Sequence, residues 1–271
     1  MSLVIPPRFC GPEGSGNGGY VCGRIAAYLD GPATVTLRRP PPLATPMTVE
    51  RGDQGSDRSD RSDRSDRSDR SDRSVRIYDG DTLIAEASSS AASPALQVPE
   101  PVSMAVARAV AGRARYYADP FFPDCFVCGM NRGPGEGLRI FPGPVPGRPL
   151  WVAPWMPDPS VTGADGTVRP EVVWAALDCP SGIAAGEAFG LASDTAILLG
   201  QMTASMSAPP LVGDQCQVIA WPDERDGRKL TAGSALLGPG GETLAVARAV
   251  WLTVPRPQIT RQELQPKENV P

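Results

Sequence analysis

Three short stretches carry residue types that could do chemistry. The first is Asn17-Gly18-Gly19, which opens the segment NGGYVCGRIAAYL. Two glycines at the head of a helix leave N–H groups unpaired and unshielded, and the helix dipole adds partial positive charge there. Such a spot suits an oxyanion. It equally suits close packing of a helix on a sheet, and Asn17 is first of all a good N-cap. The second is Asp178 at the end of VVWAALD, a carboxylate among Val172, Val173, Ala176, Leu177 and Ile183. On residue type alone it reads as an exposed or capping acid, with Pro180 marking a break just beyond it. The third is Cys125-x-x-Cys128 in CFVCGMNRGPGEGLRIF. A single Cys pair is a weak zinc signal, because a structural zinc wants four ligands and neither a second close pair nor any His is present. The simpler reading is a glycine-rich turn flanked by small buried thiols and leading into a strand GLRIF. With no histidine in the chain, catalysis must run on carboxylates, amides, hydroxyls, thiols or backbone N–H groups.

The elements that would position these groups occur twice. Asn17 to Leu29 reads as a helix, followed by strands in VTLRRPPPLATPMTVER and VRIYDGDTLIAEA. VVWAALDCPSGIAA reads as a second helix, followed by strands in LLGQMTASMSAPPLVGDQCQVIAW and LTAGSALLGPGGETLAVARAVWLTV. Recurrence of this order predicts a duplicated α+β unit with a seam between its halves, a common place for a ligand site. The expected organisation is a first unit over 1–90, a linker over 91–122, a second unit over 123–256 and a flexible tail over 257–271. Ser56 to Arg73 is Ser-Asp-Arg six times over, without one apolar residue, and is expected to be a solvated, disordered loop extension. The linker holds a short helical pattern with Arg108, Arg113 and Arg115, read as a connector packed loosely on the sheet.

Composition limits the partners. Thirty acidic against 26 basic side chains give a net charge of −4, the wrong sign for gripping nucleic acid through phosphates. No apolar run approaches the ~18 residues of a membrane span, and MSLVIPPRFCG lacks the regions of a secretory signal. A cytoplasmic protein is expected, with its six cysteines as thiols.

Cys-x-x-Cys-Gly running into Gly-Leu and an apolar strand, then a helix with an Asp, then antiparallel strands, resembles the hotdog-fold thioesterases. Phe9-Cys10-Gly11-Pro12 before Asn17-Gly18-Gly19-Tyr20 resembles the start of the long hotdog helix, and the fused pair resembles the double-hotdog acyl-CoA thioesterases. The resemblance implies two helices, each wrapped by an antiparallel sheet, hydrolysis of acyl-CoA or a related thioester, no cofactor, and possible further association of chains. VVWAALD looks like the segment that carries an acid in phenylacetate-pathway-type enzymes, so the resemblance makes Asp178 the general base or nucleophile. Gly18 and Gly19 would polarise the thioester carbonyl, with Asn17 beside them. Arg169-Pro170-Glu171 replaces the glycine pair in the second unit, and Pro170 has no N–H to offer. One composite site is therefore expected, with Asp178 facing the Gly18/Gly19 end across the seam. Gln201 and Thr203 stand where related enzymes place polar partners, although alternation alone explains polar strand residues, as it does for nearby Asp194. Arg38 and Arg39 would meet coenzyme A phosphates or simply face water. The rival expectation is a non-catalytic acyl or lipid binder, and the least specific a pair of scaffolding units.

Overall fold

The structure is a computed structural model that describes residues 1–53, 73–90, 93, 94 and 96–256. The Ser-Asp-Arg repeat apart from Arg73, and the 257–271 tail, lie outside the described residues. In the first half, helix α1 (Gly18–Ala26) is followed by strands β2 (Ala33–Leu37), β3 (Met47–Asp53), β4 (Arg73–Asp79) and β5 (Thr82–Ser89), after a short leading strand β1 (Ser2–Leu3). In the second half, helix α3 (Pro170–Ala188) is followed by β8 (Thr195–Met206), β9 (Cys216–Asp226), β10 (Lys229–Leu237) and β11 (Thr243–Pro255). Between them lie helix α2 (Met104–Val110) and strands β6 (Gly143–Pro144) and β7 (Trp151–Trp155).

All the strands join one antiparallel sheet in the order β1-β3-β4-β5-β2-β8-β11-β10-β9-β7-β6. Read outward from its middle, the order is mirrored. The first strand of each half meets the other at the seam, Ala33 opposite Ala204 through Thr36 opposite Gln201, and the remaining three strands of each half follow in the same sequence on either side. Both outer edges end in strands of two residues, which limits the backbone left open for pairing with another chain.

The helices pack against each other and against the sheet. Along α1 the buried Tyr20, Val21, Cys22 and Ile25 recur at helical spacing. Helix α3 buries nearly all of Val172–Ala185 and so shows no polar face. Pro180 does not break it: α3 runs through that residue to Ala188. The two helices cross antiparallel and very closely. A Cβ on Gly19 would lie 2.5 Å from Asp178 Cβ, and one on Gly23 would lie 2.5 Å from Glu171 Cα. Only glycine permits this approach, so Gly19 and Gly23 fix the distance between the helices.

Two local expectations change. GLRIF is not a strand, because Arg139 has φ 55, a left-handed value that interrupts extended pairing. Its amides instead bond the Cys-x-x-Cys turn, Leu138 N–H to Phe126 O and Ile140 N–H to Val127 O. The 91–122 segment also does more than connect. Ala107 and Val110 of α2 are buried against Leu150, Val152, Ile219 and Trp221, and the aromatic run after it walls a cavity described below.

Candidate functional site

Asp178 sits mid-helix on α3 and is 2% exposed. Its Oδ2 accepts two hydrogen bonds at 2.9 Å, one from the Gly19 backbone N–H and one from Asn17 Nδ2. Its Oδ1 has no hydrogen-bond partner among the described residues. Burial penalises the charged form more than the two donors favour it, and the carboxyl is pushed up from 3.8 to about 7. An acid that shares its proton near neutral pH with one oxygen held and the other unpaired is suited to exchange a proton.

Asn17 serves two roles at once. Its Oδ1 accepts from Tyr20 N–H at 2.9 Å, which caps α1, while its Nδ2 clamps Asp178. The cap is held by aromatic packing, since the Tyr20 ring stacks on Phe9 at 3.8 Å and the Phe126 ring meets Phe9 edge-on at 4.9 Å. Phe126 N–H bonds Cys10 O, so the segment before α1 and the Cys-x-x-Cys turn are tied together beside Asn17. The structure thus brings Asp178, Asn17 and Gly19 into one contact. Gly19 N–H is committed to the carboxylate, which leaves Gly18 as the helix-end amide without an acceptor among the described residues.

The remaining sequence candidates stand elsewhere. Gln201 and Thr203 alternate with buried Met202 and Ala204, and so occupy the sheet face away from them. They bond across the seam, Gln201 Nε2 to Thr36 Oγ1 at 2.9 Å and Thr203 with Thr34 at 2.8 Å, not to Asp178. Arg38 is exposed and ion-paired with Glu86, and Arg39 is exposed, its N–H bonded to Ile84 O. Asp194 is exposed and bonded to Thr195.

Three features of the site were not read from the sequence. Cys179, the residue after Asp178, meets Cys125 with 3.6 Å between sulfurs, and Cys128 completes a trio whose sulfurs all lie within 4.8 Å of one another. Beside the trio opens a largely apolar cavity of about 280 Å³, lined among others by Tyr116, Phe122, Cys128, Cys179, Ile183 and Trp251. Asp178 itself is not on that lining; Cys179 is the nearest link in the chain. Glu187 also borders it and is pinned by Trp151 Nε1 at 3.0 Å and Tyr116 N–H at 3.2 Å. A larger hollow of about 630 Å³ lies between residues 101–104 and 238–241, and neither Asp178, Asn17, Gly19 nor the cysteine trio lines it. The signals that could have pointed to the cavity are the doublets Tyr116-Tyr117 and Phe121-Phe122 in a chain with 6% aromatics.

No family model and no curated protein matches the sequence. Solved structures do match the fold. The chain is similar to the TesB protein of Mycobacterium avium subs paratuberculosis at 13% identity, covering 93% of this chain and 91% of that one with a TM-score of 0.54. It is also similar to the acyl-CoA thioesterase II TesB2 of Mycobacterium marinum at 12% identity, covering 88% and 89%, with a TM-score of 0.58. The chain shares the fold of these thioesterase structures. The likeness runs over both halves, with helices packed on antiparallel sheet. At this identity it carries the fold and not the residues of the site, which rest on their own geometry. Among the described residues, no helix is long and apolar enough to cross a membrane.

Proposed function

We propose that the chain is a double hotdog that hydrolyses an acyl thioester, acyl-CoA or an acyl group on a related carrier. The observation that carries this reading is the buried Asp178 carboxylate, clamped through Oδ2 by Gly19 and Asn17 at the crossing of the two helices. In the proposed reaction a water bonded to Asp178 Oδ1 attacks the acyl carbon and gives its proton to the carboxylate. The carbon–sulfur bond then breaks, and the leaving thiolate takes a proton as the acid is released. Gly18 N–H at the head of α1 is the donor for the developing oxyanion, because Gly19 N–H is already engaged. The apolar cavity beside Cys179 takes the acyl group, and its volume of about 280 Å³ favours a small one. Arg38 and Arg39 remain candidates for the carrier's phosphates, and Gln201 and Thr203 act by joining the halves.

A second reading has its own support. With Asp178 2% exposed and absent from the cavity wall, a non-catalytic acyl-CoA or lipid binder fits the same fold. Hydrolysis of a panel of acyl-CoA chain lengths, with and without Asp178→Asn, separates the two. The hydrolase reading expects release of free thiol by the wild type and a loss of about 10²–10⁴-fold in the variant. Undiminished hydrolysis in Asp178→Asn would remove Asp178 from the reaction. Saturable binding without thiol release would establish the binder.

A further inference from the structure

The trio Cys125, Cys128 and Cys179 has no part in the proposed hydrolysis, yet it is built as a site. Cys125 and Cys128 are 2% and 3% exposed, and Cys179 arrives from α3, 51 residues beyond Cys128 in sequence. The turn has the form of a metal knuckle. Gly129 N–H bonds Cys125 O at 2.9 Å, and Asn131 N–H bonds Pro123 O at 3.0 Å. Gly129 is required there, because a Cβ would lie 2.4 Å from Cys125 O.

The spacing fits one ion. Zinc–sulfur bonds of about 2.3 Å in a tetrahedron place neighbouring sulfurs about 3.8 Å apart. Cys125 and Cys179 are 3.6 Å apart, with Cys128 in the same cluster. We propose that Cys125, Cys128 and Cys179 bind a thiophilic divalent cation, Zn²⁺ by its ligand chemistry, with the fourth position opening into the adjoining cavity. Three thiolates and one water around Zn²⁺ carry a net single negative charge. Asn17 Nδ2 lies 3.8 Å from Cys125 Sγ and 3.7 Å from Cys179 Sγ, and turns a donor toward this charge. Binding would release three thiol protons and staple the turn to α3 beside Asp178. Cys10 stays outside the trio: its sulfur accepts from Arg132 at 3.0 Å. This proposal is independent of the hydrolase reading, and its test uses no substrate.

The experiment is elemental analysis of the full chain purified under reducing conditions, followed by Co²⁺ titration of the reduced, metal-stripped chain. About one zinc per chain is expected, together with the visible bands and thiolate charge-transfer absorption of tetrahedral cobalt, bleached by added Zn²⁺. Cys128→Ser and Cys179→Ser should lose those bands, whereas Cys216→Ser, at a buried thiol outside the trio, should keep them. Should either ligand variant not fold, X-ray absorption on the zinc-loaded wild type decides the point, with three sulfurs expected at about 2.3 Å. Absence of bands from wild type with all six thiols reduced would overturn the proposal, as would bands that survive Cys179→Ser. A Cys125–Cys179 disulfide that forms equally with and without Zn²⁺ would replace it with a redox pair.

Discussion

Replacing Asp178 by Asn should flatten one part of the stability–pH profile. The carboxyl titrates at 3.8 when the chain is unfolded and at about 7 in the folded protein, where burial opposes its charge. Below about pH 3.8 both states hold the proton. Between that value and about 7 only the folded state does, so raising the pH through the window removes stability, and above it the loss is complete. At 1.36 kcal/mol per unit over roughly 3 units, the loss amounts to about 4 kcal/mol. The other titratable groups facing the carboxyl are Cys22 of α1, whose thiol burial pushes up and keeps protonated, and Cys125 of the turn. Cys125, whose thiol is held down chiefly by its bond with Cys128, adds its charge to the rise of Asp178, so the difference between wild type and Asp178→Asn reads the acid together with that coupling. Denaturant unfolding of each from pH 4 to pH 8 should show the variant gaining on the wild type by about 4 kcal/mol across the series. Its absolute level depends on a second effect, since an Asn oxygen in the place of Oδ2 can still accept from both Gly19 and Asn17, while its NH2 takes the place of the buried oxygen that has no partner among the described residues. Profiles that stay parallel within about 1 kcal/mol would mean that water reaches the carboxylate, and the argument from burial would fail.

Other outcomes follow from the same geometry. If Asp178 is the base, the rate of thioester hydrolysis at saturating substrate should rise with pH and level off above about 7, the value at which the carboxyl loses its proton; a rate already flat from pH 5 would contradict it. Gly19→Ala would push a Cβ to 2.5 Å from Asp178 Cβ and 2.7 Å from Trp174 O, neither able to yield freely; thermal unfolding should show a loss of about 1–3 kcal/mol or more, and unchanged stability would contradict the close helix crossing. Gln201→Ala should cost about 1 kcal/mol through its lost bond to Thr36 while leaving turnover within about threefold; a hundredfold drop in kcat would return Gln201 to the reaction. Replacing residues 54–72 with a two-residue Gly-containing turn should preserve the unfolding transition, because β3 and β4 pair as far as Asp53 opposite Arg73 and the matching hairpin of the second half closes with only Gly227-Arg228; loss of the fold would give the repeat a structural role.

The helix-then-strands order of each half was legible because it depends on short-range periodicity, which a sequence displays directly. The burial of Asp178 was not. On residue type alone an acid in an apolar helix reads as a surface residue, and the expectation that it faces the Gly18/Gly19 end came only with the family resemblance, since Gly19 is 159 residues away. Cys179 was hidden for the same reason: the sequence shows a pair of cysteines, and only the packing of α3 under the turn makes a trio. Arg139 misled in the opposite direction, since GLRIF has the apolar content of a strand and a single left-handed residue prevents it from forming one. The aromatic doublets at 116–117 and 121–122 lay in a stretch read as linker, where proline and serine nearby outweighed them.

The two halves share a chain path but not the residues of the clamp, and the reason lies in the helix heads. Counted from the first helical residue, the position on α1 that matches Asp178 on α3 is Ala26, the last residue of its helix. The position that matches Gly19 is Glu171, which puts a carboxylate in the first turn of α3 where the first half has a glycine whose N–H holds Asp178. The seam therefore holds one acid and one pair of donors, contributed by different halves. Neither half holds the clamp alone, because Asp178 without Gly19 and Asn17 would be a buried carboxyl with no donor, and would be driven still further toward its neutral form. Fusion in a single chain makes that asymmetry possible. Two copies of one unit would have to carry both the glycine pair and the acid on the same helix, whereas here the pair stands on α1 and the acid on α3.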